Sequence, residues 1–112
     1  MPFEIIRADI TELNVDAIVN SAHPLVKIGP GVDYAIHKKA GNMLFEARKM
    51  IGEIHTGDAH ITKGYQLKAA YVIHTVGPIW EKGDFIEENQ LASCYLNCLN
   101  LAIKYKIKSV AF

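Results

Sequence analysis

Two cysteines, four prolines and one tryptophan are all that this 112-residue chain holds of those residue types, and its 12 basic side chains are cancelled by 12 acidic ones. Each shortage excludes something. Cys94 and Cys98 lie four apart in one helical pattern, a spacing that rarely suits a disulfide and that brings no histidine close enough to complete a metal site. Apolar, buried thiols in a reducing, cytoplasmic setting are therefore expected. A formal net charge of zero argues against a broad electrostatic footprint for nucleic acid or an anionic membrane. It leaves open a small anion held by local backbone dipoles. No apolar run approaches the ~20 residues of a membrane helix, and "MPFEIIRADI" has neither a basic stretch nor a long apolar core, so no secretion signal is expected.

What is present is a chain half of whose residues are hydrophobic, sufficient for one small core and one domain over 1–112. Short β-rich runs alternate with helical patterns. "FEIIRA" (3–8) and "DAIVNSA" (16–22) read as strands, the second nearly continuous in apolar residues like a strand buried on both faces. Val32, Ala35, Ile36 and Ala40 form a helical stripe closed by Gly41. In "NMLFEARKMIG" the reading puts Asn42 at the N-cap, Met43, Ala47 and Met50 on one face, and Gly52 at the end. "DAHITKG" (58–64) and "AYVIHTVG" (70–77) read as strands. A helix over about 86–105 sets Leu91, Tyr95, Cys98, Leu99 and Ala102 on one side, and "KSVAF" begins a last strand. The alternation predicts an α/β fold with helices covering a mainly parallel or mixed sheet, and ligands in such folds sit at the C-terminal ends of strands.

Three segments fall at such ends. In "RADIT" (7–11) Asp9 has two readings: an acceptor for an exocyclic amine such as that of adenine, with the Ile10 amide beside it, or, with Thr11, the cap of a short helix. In "NSAH" (20–23) Asn20 holds ribose hydroxyls or satisfies loop backbone. In "KIGPGVDYAIHKKAG" (27–41) the glycines either form a plain turn whose Asp33 caps the helix, or make a cradle in which outward amides at a helix N-terminus receive a diphosphate. His37 and His74 read as structural histidines, and His55 and His60 pair with no carboxylates suited to a metal. Tyr65, Tyr71, Trp80 and Phe85 lack the basic interleaving of a base-stacking surface and read as packing.

Taken in order, "RADIT…VDAIVNSAHPLVKIGPGVDYAIHKKAG…TGDAHITKGYQL…YVIHTVGPIW" closely resembles the macro domain family of ADP-ribose-binding modules, over essentially the whole chain. The resemblance implies a three-layer α/β/α mixed sheet with ADP-ribose in a cleft at the strand ends. It implies adenine recognition by Asp9 and Ile10, and a distal ribose and phosphates facing Asn20 and the turn of Gly29, Gly31, Val32 and Asp33. Family hydrolases use the aspartate of the Gly-Val-Asp motif, here Asp33, to help activate water. They use the last asparagine of an Asn-Ala-Ala-Asn motif to position the distal ribose.

This sequence departs from that pattern in two places. His23 stands at the position of the last asparagine, and an imidazole cannot present an amide's donor and acceptor together. Pro30 stands where the family usually has glycine and brings no N–H. Family members also continue beyond the strand ending at Phe112 into a second Gly-rich loop, a further strand and a helix. The expectation is a domain without those final elements, binding ADP-ribose or an ADP-ribosylated substrate with weakened affinity and weak or no catalysis. Competing readings are a hydrolase of ADP-ribosyl groups or O-acetyl-ADP-ribose using Asp33, with His23 in the asparagine's place, and a degenerate domain with only an assembly role. No cofactor or metal is expected. Strand 3–8 is expected either to recruit a second copy of the chain or to pair directly with residues 109–112.

Overall fold

The structure, a computed structural model, describes residues 3–112. A 3-10 turn at Ile10–Glu12 precedes β1 (Ala17–Ser21), α1 (Val32–Ala40), α2 (Asn42–Ile51), β2 (Ala59–Lys63), β3 (Tyr71–Thr75), α3 (Phe85–Lys104) and β4 (Val110–Ala111). The strands form one mixed sheet in the order β2-β3-β1-β4. β1 runs parallel to β3, with Asn20 opposite His74, and parallel to β4, whereas β2 is antiparallel to β3.

Side-chain alternation along the two central strands builds the layers. Ile18 of β1 and Val72 of β3 pack with Ile36, Ala40 and Leu44 under α1 and α2. Their neighbours Ala17, Val19 and Ile73 face the other way, onto Cys98 and Ala102 of α3. The result is the expected three-layer α/β/α sandwich. α3 starts where Asp84 accepts from the Glu87 amide at 3.0 Å, while Glu87 in turn accepts from the amides of Glu81, Lys82 and Gly83. Asp16 pins the last strand to the first, accepting from Lys108 N–H at 2.8 Å and Ser109 N–H at 3.3 Å.

Several expectations are corrected. Residues 3–8 form no strand, and Phe3 and Ile5 are 88% and 86% exposed. β4 pairs with β1 and not with this segment, so the run has no ladder neighbour among the described residues, and β-propensity without cross-strand packing makes no strand. Asn42 is the first helical residue of α2, and Gly41, with φ of 87°, occupies the cap. The buried face of α2 is Leu44 and Arg48, leaving Met43 and Met50 in solvent. On α3, Cys94, Cys98 and Ala102 are buried, whereas Leu91, Tyr95 and Leu99 lie at the exposed margin. The thiols are free and buried, and burial pushes Cys98 up to about 11, far from nucleophilic.

The corrected face of α2 is testable by denaturant melts. Leu44 is fully buried, so Leu44→Ala should cost about 2–5 kcal/mol. Met50 is 88% exposed, and Met50→Ala should stay within about 0.5 kcal/mol of the parent. Equal losses at the two positions would refute this packing.

Candidate functional site

β1 ends in Ser21, and the chain then crosses the strand ends as a loop that re-enters structure at α1. The entry depends on Gly31, the N-cap residue, whose φ of 75° suits glycine and strains other residues. No side chain caps the helix, and its first internal bond is Ala35 N–H to Gly31 O at 3.0 Å. The amides of Val32, Asp33 and Tyr34 are therefore without helical acceptors, as at any helix start, and lie in the partial positive field of the helix end. Gly29 passes close to the same place. A Cβ there would stand 3.4 Å from Asp33 Oδ2 and 3.7 Å from the His23 ring.

Asp33 is buried, and its carboxylate holds this loop together. Oδ2 accepts from Gly29 N–H at 2.8 Å; Oδ1 accepts from Asn20 Nδ2 at 2.8 Å and from His37 Nε2 at 3.3 Å. Burial alone pushes the Asp33 carboxyl up, but the hydrogen bonds from His37, Asn20 and Gly29, with the field of His37, outweigh it and hold the group at about 2. Asn20 is fully buried and also places Nδ2 at 3.1 Å from His74 Nδ1, and His74 Nε2 lies 3.0 Å from Thr62 Oγ1. The Thr62 hydroxyl donates to Lys63 O, so it accepts from His74, which fixes that ring as the Nε2–H tautomer.

The structure thus joins Asn20, Gly29, Gly31, Val32 and Asp33 in one cluster, with His23 beside Gly29. The His23 Nδ1 accepts from Leu25 N–H at 3.0 Å, leaving Nε2 as the atom free to meet a ligand. Asp9 caps, and Ile10 opens, the 3-10 turn along α1, where Lys39 meets Glu12 at 2.6 Å. Here the capping reading of Asp9 is what forms. Its Oδ1 accepts from Thr11 N–H at 3.0 Å and Thr11 Oγ1 at 2.8 Å, and those bonds lower its pKa. The exposed carboxylate keeps Oδ2 for a further donor.

Three members of the site were not linked to it by sequence reasoning, which read His37 and His74 as structural histidines and passed over Arg48. His37 was one helical turn from Asp33 and so was detectable from spacing. His74 meets Asn20 only through the strand register. Arg48, 2% exposed, donates to the backbone carbonyls of His23, Leu25 and Gly52, and nothing in its sequence position announces that. A separate cavity of about 160 Å³ opens at the same strand ends on the α3 side, lined by Val19, Ser21, Thr75, Cys94, Tyr95 and Phe112 among others. None of the candidate residues lines it. Among the described residues no three His, Cys, Asp or Glu side chains are grouped to hold a metal, and no helix is long and apolar enough to cross a membrane.

Buried His74 and Asp33 give the fold an acid sensitivity. Burial first, then His37 and Arg48, bring His74 down from 6.5 to about 3. The unfolded chain takes up that proton below about pH 6.5 while the folded chain resists it, so stability falls with pH through this window. The slope should be up to about 1.4 kcal/mol per pH unit. Asp33, lowered from 3.8 to about 2, adds a loss of the same sign below about pH 4. Urea melts from about pH 7 to about pH 4 should show this slope, reduced in His74→Gln. A parent and variant with parallel pH profiles would exclude His74 as its source.

The family model of the macro domain matches residues 19–112. The chain is 54% identical over 107 residues to a macro domain-containing protein of Chlorobaculum tepidum, covering 96% of this chain and 62% of that protein. It is 51% identical over 108 residues to one of Methanosarcina mazei, covering 96% and 58%. Among solved structures, the Oceanobacillus iheyensis macrodomain with ADP superposes with a TM-score of 0.87 at 40% identity, covering 92% of this chain and 58% of that one. The Trypanosoma brucei macrodomain in complex with ADP gives 0.85 at 42% identity, covering 93% and 43%. The chain therefore spans about three fifths of the curated relatives' length. With this match, the α/β/α sheet and the Gly-Val-Asp turn at the head of α1, the chain belongs to the macro domain family.

Proposed function

We propose that this chain binds ADP-ribose, or an ADP-ribosyl group carried on a protein or metabolite, and that any hydrolysis it performs is feeble. The observation that carries the reading is the uncapped start of α1, held in place by a buried, fully hydrogen-bonded Asp33. Such a turn offers a diphosphate several backbone donors at once and needs no net positive charge on the protein. Asp9, with one carboxylate oxygen engaged and the other exposed to solvent, suits the exocyclic amine of adenine. Macrodomains of similar structure were crystallised with ADP and with ADPR, which is the ligand class this arrangement fits.

The same hydrogen bonds argue against strong catalysis. A general base works best with a pKa near the operating pH, and Asp33 sits at about 2 with both oxygens engaged. His23 occupies the family's ribose-positioning asparagine and already uses Nδ1 within the loop. A misplacement of about 1 Å at a reacting centre costs on the order of 100-fold in rate.

Calorimetry with free ADP-ribose is the primary test. Asp9→Ala should weaken binding roughly 10- to 150-fold, the loss of one charge-assisted hydrogen bond to a buried partner, while the circular dichroism spectrum stays native. Unchanged affinity would show that adenine is held elsewhere. With a mono-ADP-ribosylated protein, turnover should be barely above background, and His23→Asn should raise it. Robust turnover that survives Asp33→Ala would sink the assignment of Asp33.

A further inference from the structure

Arg48 is the largest fully buried side chain in the fold, and among the described residues no carboxylate forms an ion pair with it. Burying an unpaired cation is costly, so its acceptors are informative. One nitrogen donates to Gly52 O, just past the end of α2, and the other to His23 O at 2.9 Å and Leu25 O at 3.1 Å. Between these two, Pro24 O accepts from Ile54 N–H at 2.8 Å. Three consecutive carbonyls of the loop between β1 and α1 are thus engaged by the α2 end of the protein. A carbonyl oxygen turned toward a diphosphate would repel it, and here all three are turned to interior donors.

We propose that Arg48 is the positioning residue of the anion-binding loop: its guanidinium draws the His23 and Leu25 carbonyls inward and so sets the path by which the chain presents Gly29 and the α1 amides to a diphosphate. The inference rests on the ADP-ribose reading above. A planar fork with donors in fixed directions does this for acceptors on two separate segments, and a lysine ammonium does not reproduce that geometry. Burial pushes the Arg48 guanidinium below its ordinary range, and the charge of Asp33 opposes that only in part.

The test uses Arg48→Lys, with Arg48→Gln as a second variant that buries no charge. Hydrogen exchange and calorimetry against both ADP-ribose and adenosine are measured on each. Loop amides from Ala22 to Gly29 should exchange at least roughly 10-fold faster than in the parent, with β1 and β3 amides unchanged. ADP-ribose affinity should fall by about 10-fold or more, as expected for losing one or two charge-assisted hydrogen bonds, while adenosine affinity changes by less than about twofold. Unchanged loop exchange, equal loss for both ligands, or unfolding of both variants would overturn the proposal in favour of a purely structural arginine. If the parent itself fails to bind ADP-ribose, the functional reading fails, and the exchange pattern alone decides whether Arg48 sets the loop.

Discussion

The Asp33 carboxylate is the constraint on which the rest of the site depends. A charge buried to this depth must be met by donors, and here they come from β1 (Asn20), the turn (Gly29) and α1 itself (His37). The loop between strand and helix therefore has little freedom. Any conformation that withdrew Gly29 would strand a buried acceptor at a cost of about 1–3 kcal/mol. From Asn20 the bonding continues through His74 to Thr62 on β2, so a single polar chain runs under α1 and α2 across three strands.

That chain also leaves two buried atoms unpartnered, Asn20 Oδ1 and His37 Nδ1, and the first has a clear cause. Rotating the Asn20 amide by half a turn would aim Oδ1 at the Asp33 carboxylate and at His74 Nδ1, both acceptors. The observed orientation gives each of those groups a donor instead, and one unsatisfied carbonyl costs less than two repulsive contacts in a low-dielectric interior. The neutral Nε2–H form of His74 belongs to the same solution, because a proton on Nδ1 would face the Asn20 amide hydrogens.

Much of this was legible in the sequence, for reasons that differ by element. β1 and β3 show as apolar, β-branched runs because both faces of each are covered, and the Gly-rich turn before Asp33 marked the start of α1 correctly. The buried face of α2 was hidden because it is half arginine. Residue type suggested Met43 and Met50 for the interior, and a cation is ordinarily read as surface. "FEIIRA" had the composition of a strand, but a strand is a relation between two segments, and residues 3–8 have no ladder neighbour among the described residues. The contact of Asn20 with His74 depends on the register of β1 against β3, which no local pattern encodes.

Binding and proton abstraction make opposite demands on one carboxylate. Asp33 is the second residue of α1, so its charge lies in the same helix-end field that would receive a phosphate, and an unscreened anion there would repel the ligand. Each hydrogen bond from Asn20, Gly29 and His37 spreads that charge into neighbouring donors. The more firmly Asp33 is held, the better the turn seats a diphosphate and the weaker the carboxylate becomes as a base. With Asp33 at about 2, the proposed function places this chain toward the binding end of that exchange. Strengthening Asp33 as a base would require one of its donors to be removed, and removing any one of the three loosens the turn that this reading assigns to the ligand.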